Sequence, residues 1–240
     1  MSVKTLTIDG KMVTGLAGDS IFRVAWNSDI HIPRLCHVGG VPDVAACRLC
    51  LVEVEGRGKL QASCMTDIEE GMVVHTDTDA LREYRKLLVE LLLAEGNHVC
   101  AVCVSNGNCE LQDLATALGV DHVRVPYRHP KREVDLSHEQ FGLDMNRCIA
   151  CTRCVRTCDS VEGAHVWDMA GRGESLRLVA DLGTPWGESE NCTSCGKCVQ
   201  VCPTGALFTK GVGVGEMKKD RRFLKYIVYG RETHRWVKDS

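Results

Sequence analysis

The sequence predicts an α+β chain divided into small units around metal clusters, and three observations predict it. Fifteen cysteines in 240 residues fall into four groups along the chain. Strand-like alternation is confined to about residues 1–77 and gives way at Thr78 to a helical stripe. A Cys-rich pattern then occurs twice, at Cys148 and at Cys192. Aromatic content is only 5%, so each core is small, and metal ligation supplies stability that burial cannot.

Taken in order, Leu6, Ile8, Asp9-Gly10, Met12 and Val13 read as a β-hairpin around an Asp-Gly turn. Asp19 or Ser20 caps a short helix whose Ile21, Val24 and Ala25 recur on one face. Strands at 51–54 and 71–74 complete a small mixed sheet with one helix over residues 1–77. From 78 to 95, Leu81, Tyr84, Leu87, Leu88, Leu91 and Leu92 form a stripe with Glu and Arg on the other side. Gly96 stops that helix. A second helix spans 109–118 and ends at Gly119, which makes 78–119 a small helical unit around a tight Cys-rich loop. Residues 120–139, with Pro126, Pro130 and many charges, read as a surface linker. Residues 140–210 hold the repeat and imply two equivalent halves. In the tail, 211–240, the glycine-rich stretch 211–215 reads as flexible, and the apolar and basic segment 223–229 as a possible docking segment.

An odd cysteine count and no visible signal peptide point to reduced thiolates in the cytoplasm instead of disulfides. The most apolar run, 87–94, is interrupted by Glu90 and falls far short of the ~20 residues of a membrane span. The net charge of -3 divides into +4 for residues 211–240, from eight Lys and Arg against four Asp and Glu, and -7 for the remainder. Neither value gives the broad basic face that nucleic acid requires.

The first cysteine set is Cys36, Cys47, Cys50 and Cys64. Two ligands from one tight loop and two from flanking loops suit a two-iron cluster. Gly39, Gly40, Ala45 and Ala46 leave room for backbone amides to approach the sulfurs. Structural zinc, the alternative, draws on two close pairs. Cys148, Cys151, Cys154 and Cys158 follow the x2, x2, x3 spacing of a four-iron run, and Cys192, Cys195, Cys198 and Cys202-Pro203 repeat it. In such runs the fourth cysteine ligates the other cluster. One cubane therefore takes Cys148, Cys151, Cys154 and Cys202, and the other Cys158, Cys192, Cys195 and Cys198. Cys100, Cys103 and Cys109 are one thiolate short of a set. His98 is the nearest candidate for the fourth position, the alternative being an exposed loop histidine. Arg48, Arg147, Arg153 and Arg156 lie beside ligands, where positive charge stabilises added electrons; a solvated surface role is the alternative.

The stretch 211–215 is G-x-G-x-G, not the G-x-G-x-x-G of dinucleotide binding. With every cysteine assigned as a ligand, no Cys-His nucleophile set remains, nor is there a Ser-His-Asp set. No catalytic residue is expected on the chain, and a cluster relay needs partners that supply and accept electrons.

The order of a two-iron set, a set of one His with three Cys, and paired four-iron sets resembles a known family over about residues 1–210. It is the N-terminal region shared by the large iron-sulfur subunit of respiratory complex I, the α subunit of NAD-linked formate dehydrogenases and iron-only hydrogenases. The loop Glu95-Gly96-Asn97-His98-Val99-Cys100-Ala101-Val102-Cys103 resembles, more closely, the small iron-sulfur subunits of NAD-reducing nickel-iron hydrogenases. So does a chain that stops at Ser240, before any molybdopterin or hydrogen-activating domain. The larger family sets its His four residues before the first Cys, where this chain has Gly96. The resemblance implies a β-grasp [2Fe-2S] ferredoxin-like domain at 1–77, a small [4Fe-4S] domain with one His and three Cys ligands at 78–119, and a bacterial 2[4Fe-4S] ferredoxin-like domain at 140–210. It further implies one [2Fe-2S] and three [4Fe-4S] clusters carrying electrons between a flavin/NAD-binding diaphorase subunit and the small and large nickel-iron hydrogenase subunits. A relay in a formate dehydrogenase or complex I-like enzyme, a freestanding polyferredoxin, and a zinc-dependent interaction module are the competing expectations.

Overall fold

The structure, a computed structural model, describes residues 2–233, and these pack as two compact units. The first takes in residues up to 37 together with 43–90 and 114–121. The second takes in 38–42, 91–113 and 122–233. Residues 78–119, expected as a unit of their own, are divided between them.

In the first unit, β1 (Val3–Ile8) and β2 (Lys11–Leu16) form the hairpin. Asp9 and Gly10 both have positive φ, 50° and 77°, which the two-residue turn matching strand twist requires. Ser20 caps α1 (Ile21–Asn27) by accepting the Arg23 N–H, whereas Asp19 accepts the Leu16 N–H and closes the approach turn. Strands β3 (Leu51–Val54), β4 (Gln61–Ala62) and β5 (Val73–His75) complete a five-stranded sheet of order β2-β1-β5-β3-β4. The β1-β5 pair is parallel and the others antiparallel. Leu6, Ile8, Val13, Ile21, Phe22, Val24, Val52, Ile68 and Val74 make the core. Two-residue β4 has no periodicity for the sequence to reveal.

Helix α2 (Asp79–Glu95) begins where Thr78 accepts the Leu81 N–H. Its buried face coincides with the leucine stripe only in part: Leu81, Arg85, Val89 and Glu90 are buried, Tyr84, Leu88 and Leu92 half-buried, and Leu87 and Leu91 exposed. The rotation follows from Arg85, which donates from Nε to the Leu49 carbonyl at 3.0 Å and from Nη2 to the Leu51 carbonyl at 2.9 Å. Helix α3 (Glu110–Ala117) ends at left-handed Gly119.

The second unit has a three-stranded antiparallel sheet, order β10-β7-β6, from β6 (Val134–Asp135), β7 (Phe141–Asp144) and β10 (Leu207–Thr209). Strand β6 lies in the stretch expected as linker; it is anchored because Asp135 accepts the Ser137 and Trp186 N–H groups. The repeats supply α4 (Arg153–Thr157) and α5 (Lys197–Val201). Between them a hairpin of β8 (Trp167–Ala170) and β9 (Arg177–Ala180) breaks the equivalence of the halves. Phe141, Leu143, Trp167, Leu178, Trp186, Val199 and Leu207 form the core.

The tail is also part of this unit. Gly215 donates its N–H to the Cys103 carbonyl, and Asn108 to the Gly215 carbonyl, so 211–215 is held in place. Helix α6 (Arg222–Thr233) buries Leu224 with Val38, Val41 and Val201, so the apolar side of 223–229 is used within the chain. Gly39 and Gly40 lie against Val228 and Ile227, where their smallness admits α6. Residues 234–240 of the tail lie outside the described residues. No helix among the described residues is long and apolar enough to cross a membrane.

Candidate metal centres

All fifteen cysteines are reduced thiols, and they gather in four places. In the first unit the Cys50 and Cys64 sulfurs are 3.4 Å apart. The Cys36 sulfur meets the Ala46 and Cys47 N–H groups, and the Cys47 sulfur those of Leu35, Cys36 and Leu49. Contacts between sulfurs split the thiols: Cys47 is lowered to about 5 and Cys50 to about 7, while Cys36 and Cys64 are raised. Ala45 and Arg48 have φ of 50° and 56°.

In the second unit one cavity is lined by Cys148, Cys151, Cys154 and Cys202. A separate one is lined by Cys158, Cys192, Cys195 and Cys198. The fourth cysteine of each repeat thus faces the cavity of the other. Burial pushes the Cys148 thiol to about 11 and those of Cys151 and Cys198 to about 12. Cys158 leads a single π-helical turn, Cys158–Glu162, and accepts the Val166 and Trp167 N–H groups. Trp186 donates its indole N–H to the Cys192 sulfur at 3.3 Å.

The two repeats share a backbone device. The residues flanking the second cysteine are left-handed in both: Ala150 and Thr152 around Cys151, at 50° and 59°, and Ser194 and Gly196 around Cys195, at 55° and 68°. Each non-glycine residue held there costs roughly 1–2 kcal/mol. Alternating hand turns successive N–H groups into an anion-binding concavity; Cys148 accepts from Ala150, and Cys151 from Arg153.

The fourth cavity brings His98, Cys100, Cys103 and Cys109 together with Gln112, Arg147, Thr204 and Gly205. His98 hydrogen-bonds the Leu92 carbonyl, and burial lowers its pKa. Its Nε2 is buried with no hydrogen-bond partner. A Cβ on Gly96 would lie 2.5 Å from Nε2, and one on Gly205 2.5 Å from the Cys103 sulfur. The flanking arginines divide. Arg153 is 2% exposed and bidentate to Glu110, with both N–O distances 2.7 Å. Arg156 donates to the Pro42 and Cys151 carbonyls, and Arg147 pairs with Asp144.

These features test whether the residues fit iron-sulfur clusters. Buried thiols raised to 11–12 become thiolates only against a bound cation. The orphaned His98 Nε2 faces three thiols with its other nitrogen side anchored, as in a metal-bound imidazole. Inward N–H groups match the negative charge of a thiolate-ligated cluster. Among the described residues no three His, Cys, Asp or Glu side chains close on a point suited to a single metal ion; the sulfurs surround cavities instead.

Fold and centres together define an iron-sulfur protein of the electron-carrying kind, binding both 2Fe-2S and 4Fe-4S clusters. Residues 3–79 match the 2Fe-2S iron-sulfur cluster binding domain. Residues 85–124 match the NADH-ubiquinone oxidoreductase-G iron-sulfur binding region, and 140–208 the ferredoxin-like domain of NADH-quinone oxidoreductase subunit 3. The chain is 34% identical to the gamma subunit of the NAD-reducing hydrogenase HoxS of Cupriavidus necator, over 93% of this chain and 94% of that one. It is 37% identical to the mitochondrial 78 kDa subunit of NADH-ubiquinone oxidoreductase of Candida albicans and to the NADP-reducing hydrogenase subunit HndD of Solidesulfovibrio fructosivorans, over 85% and 86% of this chain. It spans only 28% and 36% of those two relatives. A crystal structure of an NAD+-reducing [NiFe]-hydrogenase in the H2-reduced state contains a chain that superposes with TM-score 0.82 at 35% identity, over 88% of each chain. The chain belongs to the family of the HoxS gamma polypeptide, within the superfamily that includes the large iron-sulfur subunit of complex I.

Proposed function

We propose that this chain is the electron-relay subunit of a cytoplasmic NAD-reducing nickel-iron hydrogenase, joining a flavin/NAD-binding diaphorase subunit to the hydrogenase small and large subunits. The observation that carries the reading is the match to the HoxS gamma polypeptide over nearly the full length of both chains. The ligand sets are Cys36, Cys47, Cys50 and Cys64 for one [2Fe-2S] cluster, and His98, Cys100, Cys103 and Cys109 for one [4Fe-4S] cluster. Two further [4Fe-4S] clusters take Cys148, Cys151, Cys154 and Cys202, and Cys158, Cys192, Cys195 and Cys198. When bound, the clusters supply one-electron redox chemistry over a wide span of potentials. The chain's own part is to hold each centre, aim N–H groups at the sulfurs and keep water from the cavities. Residues 1–77, 78–119 and 140–210 serve as the three cluster-bearing domains.

A relay in a complex I-like enzyme is the second reading, favoured by the 37% identity to the 78 kDa subunit of NADH-ubiquinone oxidoreductase. The share of each relative covered, 94% against 28%, favours the first. Isolating the tagged chain anaerobically from its host, counting iron and assaying NAD reduction decides between them. Roughly 14 iron atoms per chain, a co-purifying flavin subunit and nickel-iron pair, and hydrogen-dependent NAD reduction are expected. Formate-dependent or quinone-dependent activity without the nickel-iron pair overturns the hydrogenase assignment.

A further inference from the structure

Residues 211–221 follow the last stretch that matches a ferredoxin-like family, which ends at 208. They form a strap over the second unit. The Gly215 N–H donates to the Cys103 carbonyl at 3.1 Å and the Met217 N–H to the Val104 carbonyl at 3.0 Å, and Met217 is buried. These contacts turn two cations inward. Lys219 Nζ donates to the Val199 carbonyl at 2.9 Å and the Leu207 carbonyl at 3.4 Å. Arg221 donates to the Gln200 carbonyl at 2.9 Å and the Cys202 carbonyl at 3.5 Å, and pairs with Glu110 at 2.6 Å. Asp220 and Arg222, between and after them, pair with each other outside.

Lys219 is the unusual member. Its ammonium meets two carbonyls and, among the described residues, no carboxylate. Burial, and to a lesser degree the charge of Arg221, lowers its pKa, and what opposes them is the charge of Cys202, Cys109 and Cys103. Those cysteines belong to two different cavities, one lined by Cys103 and Cys109, the other by Cys202. Two neutral carbonyls leave the charge of this half-buried ammonium unbalanced, and a thiolate-ligated four-iron centre, negative overall and more so when reduced, is the counter-charge this position offers.

We propose that the strap is an electrostatic element of the relay, in which Lys219, backed by Arg221, sets the reduction potentials of the two neighbouring clusters held by His98, Cys100, Cys103 and Cys109 and by Cys148, Cys151, Cys154 and Cys202. A cation within reach of both offsets the repulsion between electrons on adjacent centres. That suits a chain feeding a two-electron acceptor through one-electron steps. The inference rests on the ligand assignment proposed above. Lys219 is a positioning residue, so its test is a potential.

The full-length holoprotein is titrated potentiometrically with cluster signals followed by electron paramagnetic resonance. Lys219→Gln keeps a donor for the two carbonyls and removes the charge; both midpoints shift negative, and the two-iron midpoint of the Cys36 set does not move. Lys219→Arg restores them. Should Lys219→Gln fail to hold its clusters, Glu110→Gln decides: removing the negative charge beside Arg221 and Arg153 shifts the same midpoints positive. Unmoved midpoints in the loaded variants, or a two-iron midpoint that moves as far, overturn the inference alone. A wild-type chain lacking these two four-iron signals overturns the ligand assignment and the inference with it.

Discussion

Arg85→Met isolates what holds the two-iron site. Arg85 is 2% exposed and donates to the carbonyls of Leu49 and Leu51, the two residues flanking Cys50. Methionine keeps most of the apolar stem contact and removes both donors. Hydrogen bonds to a charged group contribute about 1.5–3 kcal/mol each. Those values are already net of desolvation, and with two bonds lost their low end gives a loss of about 3 kcal/mol. In a domain of 60–100 residues each kcal/mol moves the midpoint by roughly 4–8 °C, which makes the expected fall roughly 12–24 °C. The assay is thermal bleaching of the anaerobic holoprotein, with the two-iron signal followed beside the four-iron signals. A fall of less than about 5 °C on that scale, or equal losses from all centres, would refute the reasoning that Arg85 fastens this loop.

Three further outcomes follow from the geometry. Gly205→Ala places a Cβ 2.5 Å from the Cys103 sulfur, about 1 Å inside ordinary contact; iron analysis should show about four atoms fewer per chain with the two-iron signal kept, and full iron content would contradict it. Cys202→Ser should abolish the cubane signal of the Cys148 set and spare that of the Cys192 set; the reverse result would mean that each repeat closes its own cluster. Asp135→Asn should cost about 1–2 kcal/mol through weakened bonds to Ser137 and Trp186. Burial works against ionisation of Asp135, yet those donors hold its pKa below 3.8. A depressed folded pKa gives stability that is complete above the unfolded value and fades only as pH falls through the folded one. The difference in melting midpoint between wild type and variant should therefore stay flat from about pH 8 to about pH 5; a slope in that window would count against this account.

The elements with strong local signals were legible. The Asp9-Gly10 hairpin, the Ser20 cap and the ends of α2 and α3 coincide with their expected places, because turn chemistry and capping act within a few residues. The cysteine spacing also named the groups that meet in space, including the exchange of Cys158 and Cys202 between repeats. What escaped is decided over long separations. The buried face of α2 is set by Arg85 reaching carbonyls more than 30 residues away in sequence, which a hydrophobic stripe cannot report. Strand β6 is anchored through the Trp186 N–H, and residues 211–221 are held by Cys103, Val104 and Glu110, so neither composition nor glycine content revealed them. His98 sat two residues before Cys100, a spacing that looks tight on paper. A short 3-10 turn at Cys100–Val102 and the close approach allowed by Gly96 bring its ring to the cavity.

The centres also change how the stability of the second unit is to be understood. Its Cys148, Cys151 and Cys198 thiols are raised to about 11 to 12, and Nε2 of His98 and Nε of Arg153 are buried without partners. Ala150, Thr152 and Ser194 sit in the left-handed region. The orphaned nitrogens and the left-handed residues are unfavourable in the polypeptide alone, whereas the raised thiols stay neutral until iron draws off their protons; a thiolate-bound cluster would offset the first two and supply the cation for the third. Metal binding and folding are then one equilibrium in this region, because the sites that cost free energy empty are the sites that return it filled. Hydrogen exchange at the amides of Ala150 and Arg153 should consequently slow by orders of magnitude on cluster loading, whereas the β1-β2 hairpin, whose six-pair ladder carries no cysteine, should change far less.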